Sequence, residues 1–354
     1  MNLTILIPAF LIATAVSAVL IPIIIKVSHR KGWYDSTDPR KIHDGDIPRL
    51  GGMGIFLGFL AGLFVLIFAG LKTCETYSCP PLFQFLVFVF AAGGIHITGL
   101  IDDFTDMRPR NKFIIQILAA VLATASGLRF YGLNLIFTNI TIDIPVISWI
   151  ITIVWIVGVC NAVNLIDGLD GLSSTVSIIA TISFGIIAIA TGSWLTAIIA
   201  FSLAGGILGF LFYNKPKAKI FMGDSGSLFL GFTLAIMPLI EISSRQPKAL
   251  IFAITILLIP ITDTLFAIAR RVARKQAISS PDREHIHHTL LDLNFSNVKI
   301  LFLVGSYALL LGALPFIVQK VDHIWAIGLL VVLWAFSFWL FYWLHKLVRT
   351  RSAK

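Results

Sequence analysis

Long apolar segments alternate with short polar segments along this chain of 354 residues. A window of about 20 residues, the length an α-helix needs to cross the hydrocarbon core of a bilayer, locates eleven apolar segments. They are residues 3–25, 51–71, 82–101, 112–128, 146–163, 172–191, 194–213, 226–241, 249–270, 299–318 and 324–345. The pattern therefore predicts an all-α polytopic membrane protein with about 11 transmembrane helices, built as a single integral membrane domain over residues 1–354.

Composition excludes a soluble globular domain, because 57% of the residues are hydrophobic, 13% are charged and the mean hydropathy is +0.92. The first apolar segment has neither a basic n-region nor a small-residue cleavage site, so we expect a retained helix rather than a signal peptide. Of the 27 Lys and Arg residues, 22 lie in the loops on one side. The positive-inside rule predicts that this side is cytoplasmic, with the N-terminus outside and the C-terminus in the cytoplasm.

The acidic residues follow the same partition, which the positive-inside rule does not require. By the same assignment, 14 of the 18 Asp and Glu residues lie at or near the cytoplasmic face. A net charge of +9 alone would fit anionic lipid, nucleic acid or a phosphorylated substrate. A surface that concentrates both signs is typical of a site for a metal-bound polyanion, so we expect no nucleic-acid partner.

Three acids end the third apolar segment, in the pattern Asp102-Asp103-x-x-Asp106. Their mutual repulsion, next to the negative end of a helix dipole, favours a bound cation or basic group that offsets the cost. A solvated helix end is the alternative. In residues 161–172, Asp167 and Asp170 are three positions apart, so a helical turn would put both on one face, where they could share a cation.

Residues 221–227 form a further polar turn, after Lys215, Lys217 and Lys219. Asp224 is the predicted hard-cation ligand there, because Mg²⁺ takes one or two carboxylates together with substrate phosphate oxygens. Phe221 either stacks on a base or anchors a helix end at the membrane interface.

The remaining polar motifs each have two readings. Residues 40–54 combine basic side chains, His43 and a Gly cluster, and form either a phosphate-binding turn or a positive-inside anchor. Asp263 is either a functional intramembrane acid or a tie to Arg270, seven residues on. The three histidines of residues 285–288 bind a transition metal or, with Arg283, contact phosphates. Cys74 and Cys79 form a local disulfide or stay as two thiols.

Four of these motifs together resemble the polyprenyl-phosphate N-acetylhexosamine-1-phosphate transferases, the WecA and TagO type of glycosyltransferase family 4, with MraY as a distant relative. The matching segments are Asp102-Asp103-x-x-Asp106, Asn161-x-x-Asn164-x-x-Asp167-Gly-x-Asp170-Gly171, Phe221-Met-Gly-Asp224-x-Gly-Ser227 and His285-Ile-His287-His288. The resemblance implies an enzyme that transfers N-acetylhexosamine 1-phosphate, with GlcNAc the expected sugar, from a UDP-sugar to undecaprenyl phosphate. UMP is released and Mg²⁺ is required, with Mn²⁺ as an alternative.

The resemblance also implies roles for individual residues. Catalytic roles are expected for Asp102, Asp103, Asp106 and Asp167; metal ligation for Asp224 and Asp167; and substrate binding for His43, Asn164, Asp170, Phe221, Arg283, His285, His287 and His288. Asp102 or Asp103 would engage the carrier phosphate, whose second pKa near 6 leaves little for a general base to do. Asn164 and Asp170 would contact the nucleotide, Phe221 would stack on uracil, and the histidines would bind the diphosphate.

The expected setting is a bacterial plasma membrane, with the active site on the cytoplasmic face formed by loops at about 26–50, 102–112, 161–172, 214–227 and 271–299. Such enzymes begin lipid-linked glycan synthesis for the cell envelope, including lipopolysaccharide and teichoic acid, and a homodimer is compatible with this setting. Two alternatives stay open. One is an MraY-like enzyme that uses UDP-MurNAc-pentapeptide, and the other is a secondary transporter of an anionic solute, which predicts acids at the bilayer midplane.

Overall fold

The computed structural model describes residues 3–34, 46–69, 82–131, 133–134, 141–142, 144–240, 249–277, 280, 282, 284–318, 321 and 323–352. Four residues singled out by the sequence lie outside these ranges: His43, Cys74, Cys79 and Arg283.

Helices account for nearly all of the described chain. They are α1 (Leu3–Lys31), α2 (Gly51–Ala69), α3 (Leu82–Thr105), α4 (Pro109–Ala125), α5 (Pro145–Ile166), α6 (Leu172–Thr191), α7 (Trp194–Asn214), α8 (Gly223–Ile240), α9 (Ala249–Ile256), α10 (Leu258–Ala273), α11 (Ile286–Asp292), α12 (Asn297–Val318) and α13 (His323–Ser352). Between α4 and α5, β1 (Leu133–Asn134) and β2 (Thr141–Ile142) form one antiparallel pair.

Each of the eleven predicted apolar segments coincides with one helix or with the α9–α10 pair. Among the described residues, eight helices are long and apolar enough to cross a membrane, and the α9–α10 pair makes a ninth candidate. The all-α polytopic architecture is therefore confirmed. Helix α4 has only 17 residues and α2 is not among these candidates, so the number of eleven crossings stays a prediction.

The ninth segment is broken rather than continuous. Helices α9 and α10 meet at an angle of 82°. Pro260 accounts for the position of the break, because a proline ring clashes with the carbonyl four residues earlier, which belongs to Ile256, the last residue of α9. The following segment, α10, carries Asp263 and Arg270 towards the polar end of the molecule.

Helix α8 forms the centre of the bundle, since every residue from Ser225 to Ile240 is buried. Helices α2, α3 and α5 pack against it. Lipid gives no hydrophobic drive between helices, so small residues that allow close backbone contact stabilise such packing. At Gly99 of α3, a Cβ would lie 2.5 Å from Ser225 Cα, so only glycine allows α3 to reach the first turn of α8.

This contact gives a matched pair of substitutions within one helix. We expect Gly99→Ala to lower the thermal unfolding midpoint in detergent, because overpacking costs about 1–3 kcal/mol. Gly94→Ala is the control, since a Cβ at Gly94 meets nothing within 4 Å. Alanine there should leave the midpoint unchanged or raise it slightly. Equal midpoints for the two variants would contradict the close approach of α3 to α8.

Candidate active site

The end of α3 is closed by Asp102, which is 3% exposed. One carboxylate oxygen accepts the Met107 backbone N–H at 2.7 Å, and the other accepts the Lys112 ammonium at 2.9 Å. Lys112 belongs to the first turn of α4, so Asp102 ties together the two helices that flank the loop. Asp106 lies at the edge of this group, with an 80% exposed side chain whose carboxylate is 3.7 Å from the Arg49 guanidinium.

Asp103 joins α3 to α8. Its side chain is fully buried, and its two oxygens accept the backbone N–H groups of Asp224 at 2.8 Å and Ser225 at 3.1 Å. These amides belong to the first turn of α8, where N–H groups lack partners within the helix and the helix dipole is positive. Arg49 Nε lies 3.7 Å from the same carboxylate. Asp103 therefore fixes the position of Asp224.

Asp224 lies between a cation and an amide. Lys112 Nζ donates to one of its oxygens at 2.8 Å, and Asn164 Nδ2 donates to the other at 3.1 Å. Asn164 also donates to Ser227 Oγ at 2.9 Å, so the end of α5 is bound to the start of α8. One lysine thus bridges Asp102 and Asp224, which are brought together from distant parts of the chain.

Asp167 follows the last residue of α5 and points towards the same group. Burial raises the pKa of Asp167 well above its usual value, and the negative charges of Asp224 and Asp103 raise it further, while Arg49 opposes them. A bound cation would relieve this unfavourable charge. The next residue, Gly168, faces the histidine segment, since a Cβ there would lie 2.5 Å from His287 Cε1.

Asp170 has a different environment. It is 4% exposed, and its Oδ2 accepts the backbone N–H groups of Lys217 at 3.2 Å and Ala218 at 3.1 Å. The carboxylate therefore stabilises the turn after α7, in which Lys217 has a φ of 71°.

The turn after α7 continues to Phe221, which is partly buried. Phe221 N donates to the Pro48 carbonyl at 2.8 Å, and its own carbonyl accepts Gly51 N at 2.9 Å. Gly52 N donates to the Met222 carbonyl at 2.8 Å. The start of α2 is thus bonded to the Asp224 turn, which explains how Arg49 reaches Asp103.

The histidine segment is held by Asp263. Its Oδ2 lies 2.8 Å from His285 Nδ1, and its Oδ1 accepts Ile286 N–H at 2.8 Å, at the first turn of α11. The proposed tie to Arg270 is not formed in the described residues: Arg270 instead donates to Asp282 at 2.6 Å. The expected tie to Arg270 is therefore replaced by a contact that was not predicted, in which Asp263 orients a histidine.

His287 is 2% exposed, and neither of its ring nitrogens has a hydrogen-bond partner among the described residues. Its pKa is lowered to about 3, mainly by burial and in part by the charges of His288 and His285, which outweigh the opposing charge of Asp263. Its ring is stacked parallel to that of His285 at 6.0 Å and lies 4.2 Å from that of His288. A buried, neutral imidazole with unpartnered nitrogens offers one donor and one acceptor to a ligand.

The carboxylates fit a divalent cation. The cluster contains Asp102, Asp103, Asp167 and Asp224, with Lys112 and Arg49 as its cations, so acids exceed bases. In the described part of the chain no three His, Cys, Asp or Glu side chains form a ready metal-binding group. Mg²⁺ is often held by one or two carboxylates and completed by water and phosphate oxygens, so this donor set suits it.

Sequence reasoning did not find the partners of three residues in this site. Lys112 counted only as a topology signal, Arg49 was one of the basic side chains of residues 40–54, and Asp263 was considered only as a functional acid or as a tie to Arg270. Their contacts join residues as far apart as Lys112 and Asp224, 112 positions along the chain, which no local spacing reveals. The excess of acids over nearby bases was the one available signal that such partners exist.

Comparison with known proteins gives consistent matches. The glycosyl transferase family 4 domain matches residues 85–241. A probable undecaprenyl-phosphate N-acetylglucosaminyl 1-phosphate transferase of Bacillus subtilis (strain 168) is 34% identical over 321 residues, covering 90% of this chain and 86% of that protein. The undecaprenyl-phosphate alpha-N-acetylglucosaminyl 1-phosphate transferase of Salmonella typhi is 28% identical, covering 89% and 84%. A decaprenyl-phosphate N-acetylglucosaminephosphotransferase of Mycobacterium leprae (strain TN) is 32% identical, covering 75% and 71%.

The Asp263 contact predicts a local effect. Asp263→Ala removes the partner of a buried histidine and of a helix-start amide, and breaking a buried pair costs about 3–5 kcal/mol. We expect faster hydrogen exchange in α11 and a lower unfolding midpoint. Asp292→Ala, which changes an exposed acid of the same helix, is the control and should change neither. Wild-type exchange in Asp263→Ala would show that Asp263 does not hold the segment.

His287 predicts a pH dependence of stability. Its folded pKa of about 3 lies below the value of 6.5 expected in the unfolded chain. Between these values the unfolded protein binds a proton that the folded protein excludes. The free energy of unfolding is therefore not reduced by this histidine above pH 6.5, and it falls as the pH is lowered from 6.5 towards 3.

We expect His287→Gln to remove this pH-dependent change in the free energy of unfolding, which amounts to about 2 kcal/mol between pH 7 and pH 5. Thermal unfolding midpoints in detergent at those two pH values test it. His29→Gln, at an exposed histidine, is the control. An identical pH dependence in wild type and His287→Gln would contradict the neutral, buried state.

Proposed function

Because this chain belongs to glycosyl transferase family 4, we propose that it transfers N-acetylglucosamine 1-phosphate from UDP-GlcNAc to undecaprenyl phosphate and releases UMP. The observation that carries the proposal is the cluster in which Lys112 bridges Asp102 and Asp224 at 2.9 and 2.8 Å. Two relatives, from Bacillus subtilis and Salmonella typhi, are named undecaprenyl-phosphate N-acetylglucosaminyl 1-phosphate transferases and match this chain over most of their length. The reaction would begin the synthesis of a lipid-linked glycan of the cell envelope.

The chemistry joins two anions. An oxygen of the carrier phosphate attacks the hexose-bearing phosphorus of UDP-GlcNAc, the bond to the bridging oxygen breaks, and UMP leaves with that oxygen and its electron pair. Catalysis of such phosphoryl transfer rests mainly on positioning and charge neutralisation. The chain must therefore supply cations close to where both phosphates bind.

We propose that Asp224 and Asp167 hold Mg²⁺, or Mn²⁺ in its place, by their carboxylates. When bound, the ion would neutralise charge on the diphosphate of the donor. The raised pKa of Asp167 supports this assignment, since its carboxylate lies among other negative charges and has more to gain from a cation than an isolated acid.

Lys112 is the best candidate for binding the carrier phosphate. An ammonium has three N–H donors, and two are used by Asp102 and Asp224, which leaves one for a phosphate oxygen. Asp102 and Asp103 then act by positioning, because their oxygens already accept hydrogen bonds from Lys112 and from backbone amides. A second phosphate pKa near 6 makes a general base unnecessary at neutral pH. Asp106, exposed beside Arg49, has the smallest expected role.

The donor is proposed to bind at the histidine segment and at the turn after α7. The unpartnered nitrogens of His287 support contact with the diphosphate, beside His285 and His288. Asn164 would act near the metal, through Asp224, rather than at the base. Asp170 would serve the nucleotide indirectly, because it holds the turn that leads to Phe221, the proposed stacking partner of uracil. His43 and Arg283 stay proposed substrate contacts.

The cellular setting belongs to the same proposal. We propose a homodimer in a bacterial plasma membrane, with eleven crossings, an external N-terminus and a cytoplasmic C-terminus. The partition of basic residues supports a site on the cytoplasmic face, where UDP-sugars are available.

Purified protein with UDP-GlcNAc, undecaprenyl phosphate and Mg²⁺ should release UMP, and EDTA should stop the reaction. Asp224→Asn should lower kcat by on the order of 100-fold or more, as loss of a key electrostatic group does. Asp292→Asn, at an exposed acid, is the matched control. Undiminished turnover in EDTA would refute the metal requirement, and undiminished turnover of Asp224→Asn would refute Asp224 as a metal ligand. Activity with UDP-MurNAc-pentapeptide alone would refute the donor.

A further inference from the structure

A second polar feature lies away from the carboxylate cluster, where the ends of α1 and α7 meet. A cleft of about 570 Å³ opens there. Its apolar wall includes Pro22 and Ile25, and its basic wall consists of Lys26, His29, Arg30 and Lys219. The carboxylate cluster is built by α3, α4, α5 and α8, so the two features share no side chain.

Among the described residues, the lining of the cleft includes four basic side chains and no acid. Lys26, Arg30 and Lys219 form no ion pair with any carboxylate of the described residues. The basic last turn of α1 complements its helix dipole, which explains Arg30 but not Lys26 or Lys219. Lys219 comes from the turn after α7, so two separate elements bring positive charge to one concavity.

The order of residues along α1 sets the depth of the cleft. Pro22 and Ile25 end the long apolar segment of that helix, and Lys26 begins its basic end. The cleft therefore crosses the boundary at which hydrocarbon gives way to lipid headgroups. A soluble phosphate compound would use the cations but not the apolar wall, whereas a phospholipid presents a phosphate above methylene groups and matches both.

We propose that this cleft binds the headgroup of an anionic glycerophospholipid from the adjoining leaflet. Lys26, Arg30 and Lys219 surround the phosphate, and Pro22 and Ile25 contact the first methylene groups. Basic pockets between transmembrane helices are suited to such headgroups, since each Lys or Arg adds favourable electrostatic energy near an anionic surface. The cleft shares no side chain with the carboxylate cluster, although its basic residues belong to the predicted active-site loops 26–50 and 214–227, and the proposal does not depend on transferase activity.

The cleft also has a rigid frame. Tyr213, which lines it, donates its hydroxyl to the Ala18 carbonyl at 3.1 Å and so holds α7 against α1. Lys219 N donates to the Tyr213 carbonyl at 2.9 Å, which fixes the turn that carries the third cation. These hydrogen bonds hold the backbone around the cleft, while the side chains of Lys26, Arg30 and Lys219 are exposed and free to contact a ligand.

The test is native mass spectrometry of the full chain in a neutral detergent, with an equimolar mixture of phosphatidylglycerol and phosphatidylethanolamine of identical acyl chains. The wild type should bind phosphatidylglycerol preferentially. The triple variant Lys26→Gln, Arg30→Gln, Lys219→Gln should lose the preference, by on the order of tenfold. The control, Lys275→Gln, Lys299→Gln, Lys346→Gln, removes three exposed cations outside the cleft and should keep it.

Thermal unfolding midpoints establish that both variants are folded. If the triple variant is unfolded, Lys219→Gln alone should still weaken the preference for phosphatidylglycerol. Equal binding of the two lipids by the wild type would overturn the proposal. So would an equal loss in the control variant. Displacement of phosphatidylglycerol by an equal concentration of inorganic phosphate would assign the cleft to free phosphate, and displacement by undecaprenyl phosphate alone would assign it to the carrier; either result would overturn it.

Discussion

The carboxylate of Asp103 is the contact on which the rest of the site depends. It accepts two backbone N–H groups at the start of α8, so a buried negative charge meets the positive end of a helix. Charge-assisted bonds of this kind are stronger and more directional than neutral ones. Because α8 is the most buried helix of the bundle, this one tie sets the position of Asp224 relative to α3, and Gly99 allows the two backbones to come that close.

Charge balance explains the remaining arrangement. Several carboxylates that meet at the end of a membrane bundle repel one another, and the low dielectric there makes the repulsion large. Lys112 and Arg49 offset part of it, and Asn164 adds a hydrogen bond to Asp224. The negative charge left over makes the cluster suited to a divalent ion. The same excess of negative charge that opposes folding would favour binding of the proposed divalent cation.

The last long helix, α13, supports the histidine segment. Glu284, next to the histidine segment, accepts hydrogen bonds from Arg274 and Arg349, and its carbonyl lies 2.7 Å from His345 Nε2. Partial burial raises the pKa of Glu284, but these bonds outweigh it and hold the pKa below its usual value. Since Arg349 and His345 belong to α13, the C-terminal helix supports the segment that carries His285 and His287.

The sequence alone determined the helical membrane architecture and the segments that form the site. Hydropathy is a local property, and acids clustered at helix ends indicate a nearby cation or basic group, because their mutual repulsion would otherwise be unfavourable. Tertiary structure decided the partners. Helical spacing alone would allow Asp167 and Asp170 to share a cation, but Asp170 turns away to backbone amides, and Asp263 holds His285 instead of Arg270. Such contacts join positions 22 to 121 residues apart, and their choice depends on how helices pack, which no spacing along one segment encodes.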